Sequence, residues 1–288
     1  MNRFIHSRRS RRTPQVAGVL TAKTFSQPMK TFLLLLTVTL AGLTTGRAAI
    51  PVGINGSGVL TFNATPLATE FATGVLLGDG ATYANAATLD AGVNNLAASS
   101  IVRALPVSGT IPPTTFSGGF RHNTNAAGLW IQSRPTADGT NAASVLLATL
   151  QNTSGGTIGS VIVTFTMGTN SWVTGELPGF RVYYSLSGAP GNWTVIPALS
   201  DIETNGILSA TIAVGSWLNG NKLYLLWADD NANNITDPSY TIDNFSVGFA
   251  TPPAINYAAS SLANRTVPQC GSTTLSVSAS GSPPPAYQ

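Results

Sequence analysis

The sequence predicts an all-β protein built as a two-sheet antiparallel β-sandwich of the jelly-roll type. Three observations lead there. Charged residues make up 9% of the 288-residue chain, whereas 43% are hydrophobic, with 29 Gly and 18 Pro; that mix disfavours helical domains and suits short strands joined by turns. Apolar residues fall in strand-length runs, several of them alternating with polar residues as half-buried strands do. Turn-forming clusters separate the runs, with Gln151 to Gly156 the clearest, since Gly and Asn supply the positive φ angles of tight turns. No segment reads as an amphipathic helix, and apolar content this high argues against disorder.

Taken in order, residues 1–28 are rich in Arg and Ser and read as an upstream extension or a misassigned start. Residues 29–49 read as a signal peptide: Lys30 supplies the basic start, Leu33 to Leu43 the apolar core, and Gly46-Arg47-Ala48 the small residues before a cleavage point. A membrane anchor is the competing reading, but the run is about a dozen residues against the roughly 20 a bilayer requires. The chain is therefore expected to be exported, with no stable membrane span after cleavage.

Removing that segment inverts the charge. Eight of the fourteen Lys and Arg residues precede Ala49 and no acidic residue does, so six cations remain against eleven Asp and Glu, a net −5. The basic balance of the full chain is thus no argument for a nucleic-acid partner.

The sandwich is expected over residues 50–250. Its strands read as Val59 to Phe62, Ile101 to Leu105, Gly128 to Gln132, Ser144 to Gln151, Ile158 to Met167, Phe180 to Leu186, Asn192 to Ile196, Ile207 to Val214, Lys222 to Trp227 and Tyr240 to Val247. Residues 63–100 carry only a weak pattern. The run Leu223 to Trp227 has the length and composition of a strand buried on both faces. In the returning strand Tyr240 and Ile242 fall on one face by parity, Phe245 and Val247 on the other. The apolar face slips at Asp243-Asn244, as a β-bulge would make it.

Pro252-Pro253 marks a linker, residues 251–254, because proline cannot donate to a ladder. Residues 255–288 are too few for a domain and are expected as part of a longer chain's next one. Cys270 is the single cysteine; in an exported protein it reads as half of a disulfide to a partner, a reactive thiol, or a tolerated free thiol.

Chemistry concentrates between Lys222 and Gly248. Four of the eleven acidic residues, Asp229, Asp230, Asp237 and Asp243, lie there. Asp229-x-Asn231-x-Asn233 repeats the first half of an oxygen-lined calcium loop, whose alternate side chains converge on one ion. The twelfth position is Tyr240 rather than Glu, so Asp237 or Asp243 must complete the shell. The predicted metal ligands are Asp229, Asn231, Asn233, Asp237 and Asp243, with calcium as cofactor. The alternative is an Asx-rich turn whose side chains bond their own backbone. Of the tryptophans, Trp172 reads as loop-borne and is the candidate sugar-stacking residue. Catalysis is poorly supplied: His122 reads as a solvated histidine, and Glu70, Glu176 and Glu203 are isolated in sequence.

These residues carry two resemblances. Trp227, Asp229, Asp230, Asn231, then Ile242, Asp243, Asn244, Phe245, resemble the W-x-D-D-N and I-D-N strand pair of a jelly-roll domain of secreted bacterial proteins. Asn152 to Ile158 and the unit from Tyr183 to Trp193 match further points. Such domains accompany sorting signals, immunoglobulin-like repeats or enzymes and have no settled activity. The tail from Leu275 to Gly281, with Val277 where vertebrate members carry Cys, resembles the second strand of a bacterial immunoglobulin-like domain. The resemblances imply fold and export; with the scarcity of catalytic signatures, the chain is expected to be a non-enzymatic module of a larger surface or extracellular protein, structural or adhesive, with polysaccharide or cell-surface components as partners. The alternative is an accessory module of a secreted hydrolase.

Overall fold

The computed structural model describes residues 49–288 apart from 78–82, 84, 112, 114–115, 117, 136–140, 170–176, 203, 232–236, 250, 256–266, 268, 273, 275–278 and 283–288. All described residues belong to one compact unit, Arg47–Gln288. The signal-peptide expectation lies outside them.

The expected all-β sandwich is what the chain forms. The first sheet contains β1 (Ile50–Val52), β2 (Phe71–Leu77), β6 (Asn141–Asn152), β8 (Arg181–Ser185), β9 (Thr194–Val195) and β11 (Lys222–Asp230). Its order is β1-β6-β11-β8-β9, and β2 shares with β1 the same edge of β6. The second sheet contains β3 (Val107–Ser108), β4 (Arg121–Asn123), β5 (Trp130–Ser133), β7 (Ile158–Thr169), β10 (Gly206–Trp217) and β12 (Tyr240–Phe249), in the order β10-β7-β12-β5-β4-β3. Pairing is antiparallel except for β1 on β6 and β3 on β4.

Alternation along the strands builds the core. Leu146, Ala148 and Leu150 of β6 face inward with Leu223, Leu225 and Trp227 of β11, against Val161, Val163, Phe165 and Met167 of β7 and Ile242 and Val247 of β12. Trp227 meets the rings of Phe165 and Phe245 edge-on, 5.7 and 5.6 Å between centroids. The first sheet is buried on its outer face too: Val145, Leu147, Leu226 and Ala228 pack with Leu89 and Val93 in a second cluster. That cover explains why β11 reads as a continuous apolar run.

The cover is helical, which corrects the expectation of no helix. The helix α1 (Ala86–Asn94) is opened by a capping box, in which Asn85 Oδ1 accepts from the Thr88 N–H and Thr88 Oγ1 accepts from the Asn85 N–H. Leu89 and Val93, four residues apart, are its buried stripe. Two other expected strands are also absent. Over 59–62 only Leu60 pairs, by exchanging backbone bonds with Phe245, and over 101–105 only Arg103 does, with Thr73. Phe62 has φ +51, which takes the chain out of strand geometry.

The expected bulge is present. The register of β12 against β7 shifts between Asp243 and Ser246, and Asn244 has φ +50. The shift returns Phe245 and Val247 to the inner face that Tyr240 and Ile242 already occupy. It also frees the edge of β12 for the segment before β2: the Ser57 N–H donates to the Val247 carbonyl and the Leu60 N–H to that of Phe245.

A short strand lies over the expected proline linker. β13 (Thr251–Ile255) pairs with β14 (Ala279–Ser282), yet the paired residues are Thr251, Ala254 and Ile255. Pro252 and Pro253 fall within the irregularity, where no N–H is required of them. Cys270 is exposed, in a turn with φ +66.

Candidate functional site

The two faces of the first sheet end in carboxylates with different surroundings. On the inner face Asp229 follows Leu225 and Trp227 by strand alternation, at the end of β11. It is fully buried. Across the interior β5 and β12 bring Ser133 opposite Tyr240, and Asp237 lies three residues before β12. Ser133, Asp237 and Ser239 are buried as well. Burial pushes the Asp229 carboxyl well above the ordinary carboxylate range; the Ser133 hydroxyl restrains the rise, while Asp230 and Asp237 add to it. Ser133 is near enough to act on Asp229, yet neither Ser133 Oγ nor either Asp229 oxygen completes a hydrogen bond.

Arg134 also reaches this end. Its Nε donates to the Asp237 main-chain carbonyl and its Nη1 to that of Pro113, both at 2.9 Å. Arg103 and Arg121 stack over the Phe116 ring, 5.2 and 4.7 Å from its centroid.

On the outer face Asp230 accepts from the Leu177 N–H at 3.3 Å, and burial raises its pKa to about 7. Nearby, Asp90 on α1 is tied to β8: Arg181 Nη2 donates to it at 2.8 Å and the Tyr183 hydroxyl at 2.7 Å. Arg181 Nη1 donates to Asp201 as well. The bond from Arg181 holds the Asp90 carboxyl below its usual range against the opposing effect of burial. Asp201 is shifted upward, by burial first. The Tyr183 hydroxyl is pushed up by burial and by Asp90.

Beside this ion pair lies a depression of about 250 Å³, lined by Asp90, Ala91, Asn94, Tyr183, Trp193 and Val195. Trp193 is anchored through its Nε1–H to the Leu96 carbonyl at 2.8 Å. Asn94 is exposed at the C-terminal end of α1.

The predicted site residues are thus dispersed. Asp237 is near enough to Asp229 to raise its carboxyl further, and Asn231 is buried two residues beyond Asp229. Asp243 sits at the bulge, where it accepts from the Asn244 N–H at 2.7 Å. Asn233 and Trp172 lie outside the described residues. His122 is buried rather than solvated, its Nδ1 2.9 Å from Thr65 Oγ1 and its Nε2 2.8 Å from the Phe62 carbonyl. Sequence reasoning missed Ser133, Asp90 and Asn94. Ser133 is distant in sequence from the aspartates; Asp90 and Asn94 sit on the unrecognised helix, whose Asn85-x-x-Thr88 cap was the available signal.

No protein-family model matches the chain, and no curated protein does. Among solved structures it is similar to the carbohydrate-binding module TmCBM61 in complex with β-1,4-galactotriose, at 12% identity and a TM-score of 0.25, over 42% of this chain and 71% of that one. It is also similar to the K3 cleaved adhesin domain of Lys-gingipain from Porphyromonas gingivalis, at 10% identity and a TM-score of 0.25, over 47% of this chain and 79% of that one.

Proposed function

We propose that the chain is an exported, non-enzymatic binding module whose ligand is a polysaccharide. The observation that carries this reading is the depression beside α1. It sets the carboxylate of Asp90 and the exposed amide of Asn94 beside the aromatic side chains of Tyr183 and Trp193. Sugars offer the complement: hydroxyls for Asp90 and Asn94, and a C–H edge for the narrow strip of Trp193 left accessible, Trp193 being 9% and Tyr183 2% exposed. The Arg181 and Tyr183 bonds pre-set Asp90, so little ordering entropy is lost on binding. Export is supported by the basic start, apolar run and small residues of 29–49. Among the described residues no helix is long and apolar enough to cross a membrane.

Affinity electrophoresis of the folded protein through gels containing soluble galactans, xylans, mannans and glucans tests the reading. Retardation by at least one of them is expected, weakened about tenfold or more by Asn94→Ala and by Trp193→Phe. Migration unchanged in every gel, or retardation that neither substitution weakens, would overturn it.

A further inference from the structure

The inner corner between β5, β11 and β12 holds more oxygen than its neighbours satisfy. Asp229 is fully buried with both carboxylate oxygens lacking a donor, and Ser133 Oγ, from the opposite sheet, is buried and equally unmatched. An isolated buried carboxylate costs several kcal/mol unless it is neutralised or paired. Arg134, the guanidinium that reaches this end, spends its Nε and Nη1 on main-chain carbonyls. Neither of those bonds goes to Asp229, whose two oxygens stay unmatched.

We propose that this corner is a binding site for one divalent cation of the calcium type, with Asp229 and Asp237 as its charged ligands and the Ser133 hydroxyl as a neutral one. The donors are all oxygen, which selects a hard cation. His122, which a zinc site would favour, is engaged with Thr65 and Phe62. Calcium accepts irregular oxygen shells, whereas magnesium keeps its waters and demands a strict octahedron that a buried corner opposes. Asn231 follows Asp229 by two residues and is likewise buried. Asp230 does not belong to it, because it points to the outer face and accepts from Leu177. Asp243 is likewise excluded, being held by Asn244 at the bulge.

Placement supplies the test. Trp227 lies two residues from Asp229 on the same strand face, roughly 7 Å away along the chain. Terbium, a luminescent stand-in for calcium, should therefore emit when tryptophan is excited. Saturable emission that excess calcium displaces is expected, together with a melting temperature about 5 °C or more higher in calcium than in chelator at a hundredfold excess over Kd. Asp229→Asn, which keeps the shape, should abolish both effects while the circular dichroism of the fold persists. Asp243→Asn should leave both unchanged. Equal melting curves in calcium and chelator with no sensitised emission would overturn the site, and Asp229→Asn melting above the parent protein would then identify Asp229 as a buried protonated acid. Loss of emission on Asp243→Asn but not on Asp229→Asn would overturn the ligand set.

Discussion

Asp90 and Asp229 lie against opposite faces of one sheet, and the chain treats them in opposite ways. Asp90 receives two donors, Arg181 and Tyr183, and its carboxyl is held below the usual range. Asp229 receives none, and its carboxyl is driven up. The difference lies in where cations can be placed. The outer face is roofed by a short helix and loops, so an arginine on β8 lies along a half-exposed groove. The inner face is filled by Trp227, Phe165, Phe245 and Tyr240 from both sheets, and the guanidinium that reaches its end, Arg134, donates its Nε and Nη1 to main-chain carbonyls instead. Under the proposal above, the inner carboxylate is met by a bound cation, whereas the outer one is met by the chain's own arginine.

The largest expected effect tests whether the inner face is as dry as this contrast requires. Trp227 is fully buried between Phe165 and Phe245. Trp227→Ala should cost about 3–5 kcal/mol, as truncation of large core side chains does, read as a lower urea midpoint at unchanged slope. A midpoint that does not move would place β11 at a rim and dissolve the contrast between the faces.

The same contrast shows which features the sequence made legible. The inner face was: the apolar run of β11, the alternation of β7 and the parity slip at Asp243-Asn244 each report a local period, and the structure follows them. The outer face was not. Its cover is nine residues long, with only Leu89 and Val93 buried, too short a pattern to stand out in an Ala- and Thr-rich stretch. Strands of two or three residues, such as β1, β3 and β4, carry no period at all. Half of each candidate site was legible for the same reason. Asp229 and Asp237 are close in sequence, whereas Ser133, and Arg181 beside Asp90, meet them only through strand pairing and helix docking. Trp193 was noted as part of a strand-then-tryptophan unit, without the helix that makes it the wall of a depression.

A second, smaller effect is expected on the outer face. Arg181→Met keeps the stem but removes the charge shared by Asp90 and Asp201. The two aspartates are 36% and 38% exposed, so water and salt offset much of the lost Coulomb energy. About 1–2 kcal/mol of destabilisation remains, mainly from Asp90 left in half-buried surroundings without its donor. A double-mutant cycle with Asp90→Asn should show the coupling, and additive losses would mean that the pair contributes nothing.

The pH dependence of that pair has a definite sign. A carboxyl whose folded pKa lies below its unfolded value of 3.8 adds stability that is complete above that value and is lost as pH falls through the folded one. Asp90 therefore steepens the acid limb of stability below about pH 4. Asp201, shifted up, acts oppositely: its cost appears as pH rises past 3.8 and its carboxyl ionises. Urea titrations between pH 2 and 5 should show a shallower acid limb in Asp90→Asn than in the parent protein. Identical limbs would show that Arg181 serves Asp201 rather than Asp90.

The smallest expected effect concerns a third carboxylate, Asp243, which belongs to neither face. It is held locally, accepting from the Asn244 N–H at 2.7 Å, while Asn244 Nδ2 lies 3.3 Å from its other oxygen and 3.4 Å from Thr166 Oγ1. Asn244 occupies the left-handed region at φ +50, where asparagine is tolerated and glycine is free of strain. Asn244→Gly relieves the backbone and gives up two long, weak side-chain bonds, so the two terms should cancel to within about 0.5 kcal/mol. Asn244→Ala keeps the strain and loses the same bonds, and should cost about 1 kcal/mol. The order of the two urea midpoints, glycine above alanine, checks that backbone geometry rather than the amide sets the bulge. If glycine instead costs as much as alanine, the amide is what holds Asp243, and the bulge carboxylate joins Asp90 as a group whose partner the chain itself supplies.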